Sequence, residues 1–243
     1  MRIGFLLTVL AIAGSARAAD TSGHGVQRVD VRGTRTGEPM AWRYSVLRTA
    51  ETVFAKHAST QAPGATLAFR LPNVASAQDD DRVEIVTAGK RLPLPMVAPL
   101  AFTLPQDAEA ADSGAMVVVN RDFPKGSFRH PEVQVRSPGL PDGVRRMGDL
   151  RLACAAQIAM LKAESLKFRA VFATVGLFGG DACKDTDVTD VDDPAGAYDT
   201  VTIEDGERRL TLPREQGHMP RLGETAWSDN ARIHYTLNDR IVR

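Results

Sequence analysis

The sequence predicts an α+β protein in which an antiparallel β-sandwich is covered by two helices and tied by one disulfide. Three observations predict it. Short segments between 64 and 137 alternate apolar and polar residues with a period of two. Two longer segments, 40–58 and 149–172, repeat apolar residues at helical spacing. Two cysteines, Cys154 and Cys183, follow an N-terminal export signal, and an even cysteine count in an oxidising space reads as a disulfide.

The export signal comes first along the chain. Arg2 supplies a positive start, Ile3 to Ala13 is an apolar run, and Ala16-Arg17-Ala18 is a small-x-small site, so residues 1–18 read as a signal peptide cut before Ala19. The run stops well short of the roughly 20 apolar residues that cross a bilayer. The expected address is therefore periplasmic or secreted, with no membrane span. Losing Arg2 and Arg17 takes 30 basic residues to 28 against 30 acidic ones, a formal net charge of −2. So balanced a chain has no broad positive field to displace counterions, which argues against nucleic acid as a partner. The full chain is 43% hydrophobic and 25% charged, ordinary globular composition, and the remaining 19–243 reads as a single globular α+β unit.

Within that unit, Val26 to Val31 alternates as a loosely attached first strand. Pro39 suits a first helical position, and Trp42, Val46, Ala50, Val53 and Phe54 then recur at helical spacing until Ala62-Pro63-Gly64. His57 falls in the last turn of this helix, where a cation suits the dipole. The sandwich core spans 64–137, with alternating strands around Leu67–Leu71, Val83–Ile85, Leu100–Leu104 and Val133–Val135, and a strand at the continuous apolar run Met116–Val119. Leu-Pro recurs at 71, 92, 94, 104, 140 and 212; the leucine reads as core and the proline as a strand end or exposed edge, since proline donates nothing to a ladder.

The double turn Ser137 to Gly143 leads to Asp149, which can cap the second helix. Leu150, Cys154, Ile158, Leu161, Phe168 and Phe172 share one face of it. The disulfide limits this helix. A helix running from Cys154 to Val175 ends roughly 30 Å away, and the eight residues back to Cys183 span at most about 27 Å. The helix is therefore expected to end near 168–172, with Gly176, Gly179 and Gly180 turning the chain back. From 197 to 243 the pattern is again strand-like: a hairpin, Val201 to Leu212, around Asp205-Gly206, then one strand from Ala231 to Val242. The hairpins beginning at Val83 and at Val201 echo one another, as unrelated hairpins also do.

Signatures of chemistry are sparse. There is no G-x-S-x-G, H-E-x-x-H, C-x-x-C or phosphate-cradling glycine loop, and His24, His57, His130, His218 and His234 are scattered singly. A triad assembled in space leaves no local trace, so a hydrolase with a dispersed site stays as an alternative. Asp181, Asp185, Asp187, Asp190, Asp192 and Asp193 crowd six carboxylates into 13 residues. Oxygen ligands in a loop suit Ca²⁺, yet the spacing lacks the EF-hand Gly and Glu, and a solvated acidic loop is the preferred reading. Arg145, Arg146 and Arg151 read as surface cations able to hold an acidic partner or a phosphate. Trp42 and Trp227 suit either core positions or a sugar-stacking platform. No catalytic residue, cofactor or metal ligand is assigned; the site residues assigned are the disulfide Cys154 and Cys183.

The segment Arg136 to Pro141 with Arg145-Arg146-Met147-Gly148-Asp149-Leu150-Arg151-Leu152-Ala153-Cys154, and later Trp227-Ser228-Asp229, resembles uncharacterised exported proteins of Gram-negative bacteria. The resemblance implies a periplasmic address and no activity. The strand pattern of 64–137 also looks like immunoglobulin- or transthyretin-like sandwich modules. The function expected is a non-catalytic periplasmic interaction or accessory module that binds a protein or envelope polymer. The alternatives are a hydrolase with a dispersed site and a carbohydrate- or calcium-dependent binder.

Overall fold

In the computed structural model the chain divides into Met1–Thr34 and Arg35–Arg243. The structure describes residues 38–71, 81–105, 114–123, 130–177, 180–191, 198–214, 219–237 and 240–241, all in the second unit. The expected signal peptide 1–18 and the strand at 26–31 lie outside the described residues.

The first half carries β1 (Glu38–Arg43), α1 (Tyr44–Gln61), β2 (Thr66–Arg70), β3 (Val83–Val86), β4 (Arg91–Pro93), β5 (Met96–Ala98), β6 (Ala101–Phe102), β7 (Met116–Phe123) and β8 (Glu132–Arg136). The second half carries β9 (Val144–Arg146), α2 (Met147–Glu164), α3 (Leu166–Leu177), α4 (Val188–Val191), β10 (Thr200–Asp205), β11 (Arg208–Pro213), β12 (Arg232–Leu237) and β13 (Arg240–Ile241). All ladders are antiparallel.

The helix expected over 40–58 begins later, because its first residues are claimed by a ladder. Trp42 pairs with Val117 across β1 and β7, and the first helical N–H, that of Tyr44, donates to Ala115 O at 2.9 Å. Long-range pairing overrides local spacing here and leaves no orphan donor at that point. Val46 and Ala50 are buried, and Val53 and Phe54 half-buried, as the helical period requires.

The five strands expected between 64 and 137 are present, but they are divided between two four-stranded sheets. One has the order β1-β7-β3-β4 and the other β5-β6-β2-β8. The short strands β4 and β5 were not expected. Both are exposed edges, and Leu92, at 46% exposure, breaks the rule that each Leu before Pro is core. Leu71, Leu94 and Leu104 obey it. Trp42 of the first sheet stacks on Phe102 of the second with ring centroids 6.2 Å apart, inside a core shared with α1 and α2.

The second helix departs most from expectation. It does not run over 149–172 as one piece but breaks at Ser165, whose backbone is extended (φ −149°, ψ 151°). Ser165 Oγ accepts from Phe168 N at 3.3 Å and so caps α3. Arg43, from β1, donates to Glu164 O at 2.8 Å, placing a cation on the closing carbonyls of α2. Nor is Asp149 the N-cap: α2 starts at Met147, and Asp149 in its first turn is fully buried. It accepts from Ser137 N at 2.8 Å and Ser137 Oγ at 2.7 Å.

Two faces of α2 are buried, not one. Leu152, Ala153, Ala156 and Met160 join the first core. Met147, Leu150 and Cys154 join a second core under the third sheet with Ile203, Leu222, Trp227 and Ile233. A helix apolar on most of its circumference is a buried helix. Gln157 also satisfies the edge of the second sheet, accepting from Val133 N at 2.7 Å and donating to Pro131 O at 3.2 Å.

The third sheet has the order β11-β10-β12-β13, with β9 also pairing with β12. The expected hairpin is present, with Asp205 opposite Arg208 and Gly206 at φ 62°. Glycine thus occupies the first of two central turn positions, as in a type II′ turn. The single strand expected over 231–242 is two, β12 and β13. No helix among the described residues is long and apolar enough to cross a membrane.

Candidate functional site

The break at Ser165 and the return of the chain to Cys183 open a cleft of about 860 Å³ against α2. Its floor is Ala155 and Ile158 of α2, its roof is Phe172 and Gly176 of α3, and its walls are residues 180–184 and 222–229. The Sγ atoms of Cys154 and Cys183 are 2.18 Å apart, at disulfide distance, with Cα atoms 5.8 Å apart. The end of the helix at Glu164 makes this reach possible.

Arg151 holds the second wall. Its Nε donates to Leu222 O at 2.7 Å and its Nη2 to Glu224 O and Trp227 O, each at 3.0 Å. Its Nη1 pairs with Asp229 Oδ1 at 2.6 Å. One planar guanidinium fork thus fixes eight residues of irregular chain. The two walls are also stitched to each other: Leu222 N donates to Thr186 O at 2.9 Å and Gly223 N to Lys184 O at 3.0 Å. Gly223 is required at this approach, because a Cβ there would sit 2.5 Å from Lys184 Cβ. Gly148, at the base of α2, is tighter still: its Cβ would meet Gln61 O at 2.1 Å.

The roof is of another kind. α3 buries no residue, and Leu166, Val171 and Leu177 are 77%, 57% and 85% exposed. Phe168, Phe172 and Val175 are half-buried. His130 meets Phe168 edge-on at 5.5 Å, and burial holds its pKa below the usual histidine value against the opposing pull of Glu164. Lys162 Nζ lies 5.4 Å from the Phe172 ring centroid, a cation–π contact at the cleft rim.

The residues singled out from the sequence fall in different places. Arg151 is a structural clamp, not a surface cation. Arg146 donates to Asn230 Oδ1 at 2.6 Å and Ser137 Oγ at 3.2 Å. Arg145 is half-buried beside a second cavity of about 370 Å³, where burial draws its pKa down. Neither tryptophan is a sugar platform: Trp42 and Trp227 are 3% and 1% exposed, and the Arg208 guanidinium covers the Trp227 ring at 4.0 Å.

Two carboxylates of the acidic loop, Asp181 and Asp185, are engaged locally. Asp181 Oδ1 accepts from Cys183 N at 3.1 Å and Lys184 N at 3.3 Å. Asp185 Oδ2 accepts from Asp181 N at 3.2 Å, and its Oδ1 lies 3.8 Å from Arg221. Asp187 bridges to Arg221 through the backbone, and Asp190 is exposed on α4. Asp192 and Asp193 lie outside the described residues. Among the described residues no three His, Cys, Asp or Glu side chains converge as a metal site.

His24 and His218 also lie outside the described residues, and neither His57, His130 nor His234 lines either cavity. His234 Nε2 lies 3.4 Å from Glu204 on β10. Ser228, on the cleft rim, is not a poised nucleophile. Its Oγ donates to Asp205 Oδ1 at 2.8 Å and its N to Asp205 Oδ2 at 2.7 Å, and these two bonds hold the Asp205 pKa below the usual carboxylate value.

No protein-family model, curated protein or solved structure matches this chain. The cleft therefore has to be read from its own geometry. Its walls meet only through long-range contacts, so no local pattern in the sequence announces it. One signal was present: Ser165 directly before Leu-Lys-Phe is a helix N-cap pattern.

Proposed function

We propose that this chain is a non-catalytic periplasmic interaction module that binds a protein or an envelope polymer in the cleft between α2, α3 and the 222–229 wall. The supporting observation is that cleft: an opening of about 860 Å³ with an apolar floor, polar rims and a wall held by four bonds from Arg151. Ligand pockets of about 300–1,000 Å³ are of this character, and a wall locked before binding reduces the ordering cost. Removal of 1–18 as a signal peptide, the periplasmic address and the immunoglobulin- or transthyretin-like description of the first two sheets belong to the same proposal. A cysteine pair at disulfide distance supports the oxidising address.

The test fills the floor. Ala155→Phe places an aromatic ring in the cleft, and binding is read by co-sedimentation with purified peptidoglycan and by photo-cross-linking from position 155 in the exporting cell. A discrete adduct or polymer binding that Ala155→Phe abolishes, with melting unchanged, supports the reading. No adduct and no sedimentation, or binding indifferent to Ala155→Phe, overturns it.

A further inference from the structure

The outward face of α3 takes no part in the cleft. Successive helical residues are about 100° apart, so Leu166, Ala170, Ala173 and Leu177 fall within about 60° of one another. Phe168, Phe172 and Val175 fall on the opposite side, which agrees with their being half-buried while the four stripe residues are exposed. The helix is thus apolar on both faces, and one of them meets solvent over about 16 Å.

Two cations flank that stripe. Lys167 lies about 90° to one side and Arg169 about 70° to the other. Both are exposed, and neither has an acidic partner among the described residues. The helix itself, LKFRAVFATVGL, contains no acid. Acids on neighbouring segments face other cations: Glu164 lies 3.9 Å from Arg43, Asp181 3.7 Å from Lys184, and Asp185 3.8 Å from Arg221.

An apolar stripe edged by long basic side chains suits a helix lying in a lipid interface, with its stripe among the acyl chains and its cations at the headgroups. We propose that α3 docks the protein flat onto an anionic lipid bilayer through Leu166, Ala170, Ala173 and Leu177, with Lys167 and Arg169 reading the negative headgroups. This rests on the binding-module reading and adds a membrane surface as a partner. It concerns the outward face of α3, whereas the cleft uses the inward one. A span is not implied, since α3 has 12 residues.

The test uses the mature full chain with vesicles of phosphatidylcholine alone and of phosphatidylcholine mixed with phosphatidylglycerol. Binding is expected to favour the mixed vesicles and to fall with added salt. Removing one cation is expected to weaken it about 5-fold and removing both, in Lys167→Gln/Arg169→Gln, about 30-fold. Leu166→Gln/Leu177→Gln is expected to weaken it more than tenfold while melting stays unchanged, because α3 buries no side chain. Arg209→Gln, on the edge strand β11, is the control and is expected to bind as the parent does. Four results overturn the proposal: no vesicle binding, equal binding to both vesicles, variants that bind as the parent, or a concentration-dependent dimer abolished by Leu166→Gln/Leu177→Gln without lipid binding. Cleft binding that survives any of these leaves the module reading standing, and Ala155→Phe tests that reading separately.

Discussion

Breaking the Cys154–Cys183 link is expected to cost stability by an amount set by the length of chain it closes. The two residues are 29 apart. The loop-entropy relation for a loop of that length gives about 3.6 kcal/mol at 25 °C. Spread over a unit of about 210 residues, with an unfolding entropy of about 2.1 cal/mol/K per residue, that corresponds to a fall in melting temperature of about 8 °C.

Reduction of the parent protein is the cleaner perturbation, because Cys154 is 7% exposed and replacing it adds a cavity cost. Urea unfolding with and without a phosphine reductant measures the difference. Hydrogen exchange should locate it, with faster exchange at Asp185 N and Thr186 N, whose acceptors Asp181 O and Cys183 O lie in the tethered turn. The oxidised mass should be two hydrogens below the reduced mass. Two alkylatable thiols before reduction, or a change in stability below about 1 kcal/mol, would refute the reasoning.

Three further outcomes are expected. Gly148→Ala should destabilise the protein by about 3 kcal/mol or more, since its Cβ lands 2.1 Å from a backbone oxygen of α1; unchanged urea unfolding would show that α1 yields freely. Asp149 has a pKa raised from 3.8, first by burial, with the Ser137 bonds and nearby arginines opposing. Between its unfolded and folded values the native state holds the extra proton, so its contribution to stability falls as pH rises through that window and is level above it. The stability of the parent minus that of Asp149→Asn should therefore decrease with rising pH from about 4; a difference that grows would sink the assignment. Millimolar calcium should move the melting temperature by less than about 1 °C, because Asp181 and Asp185 already accept local backbone bonds; a rise of several degrees, lost in Asp187→Asn, would show an ion site in the loop.

Periodicity made the strands at 66–70, 83–86 and 132–136 legible, because a half-buried strand shows its alternation locally, while the continuous apolar run Met116–Val119 marked only the first half of β7. The Asp205-Gly206 hairpin was legible for a like reason, since a two-residue turn needs a residue tolerant of positive φ. The cysteine pair was legible from count; its reach required the second helix to be interrupted, but the end expected at 168–172 falls inside α3 and the break is at Ser165. Division of the strands into separate sheets was not legible: pairing partners such as Trp42 with Val117, or Ile233 with Arg145, are far apart in sequence.

Of the candidate site, the sequence by itself determined the residue types: two cysteines 29 residues apart, an apolar stretch from 166 to 177, and an arginine at 151 among apolar neighbours. Tertiary structure alone decided what they do. Arg151 reads as a surface cation until four acceptors from 222–229 close around it. Phe168 and Phe172 read as more of the same buried helical face until Ser165 turns α3 aside and leaves its other side uncovered. Burial of a helical face depends on which distant segments pack on it, and that information is held by the fold as a whole, not by the local period.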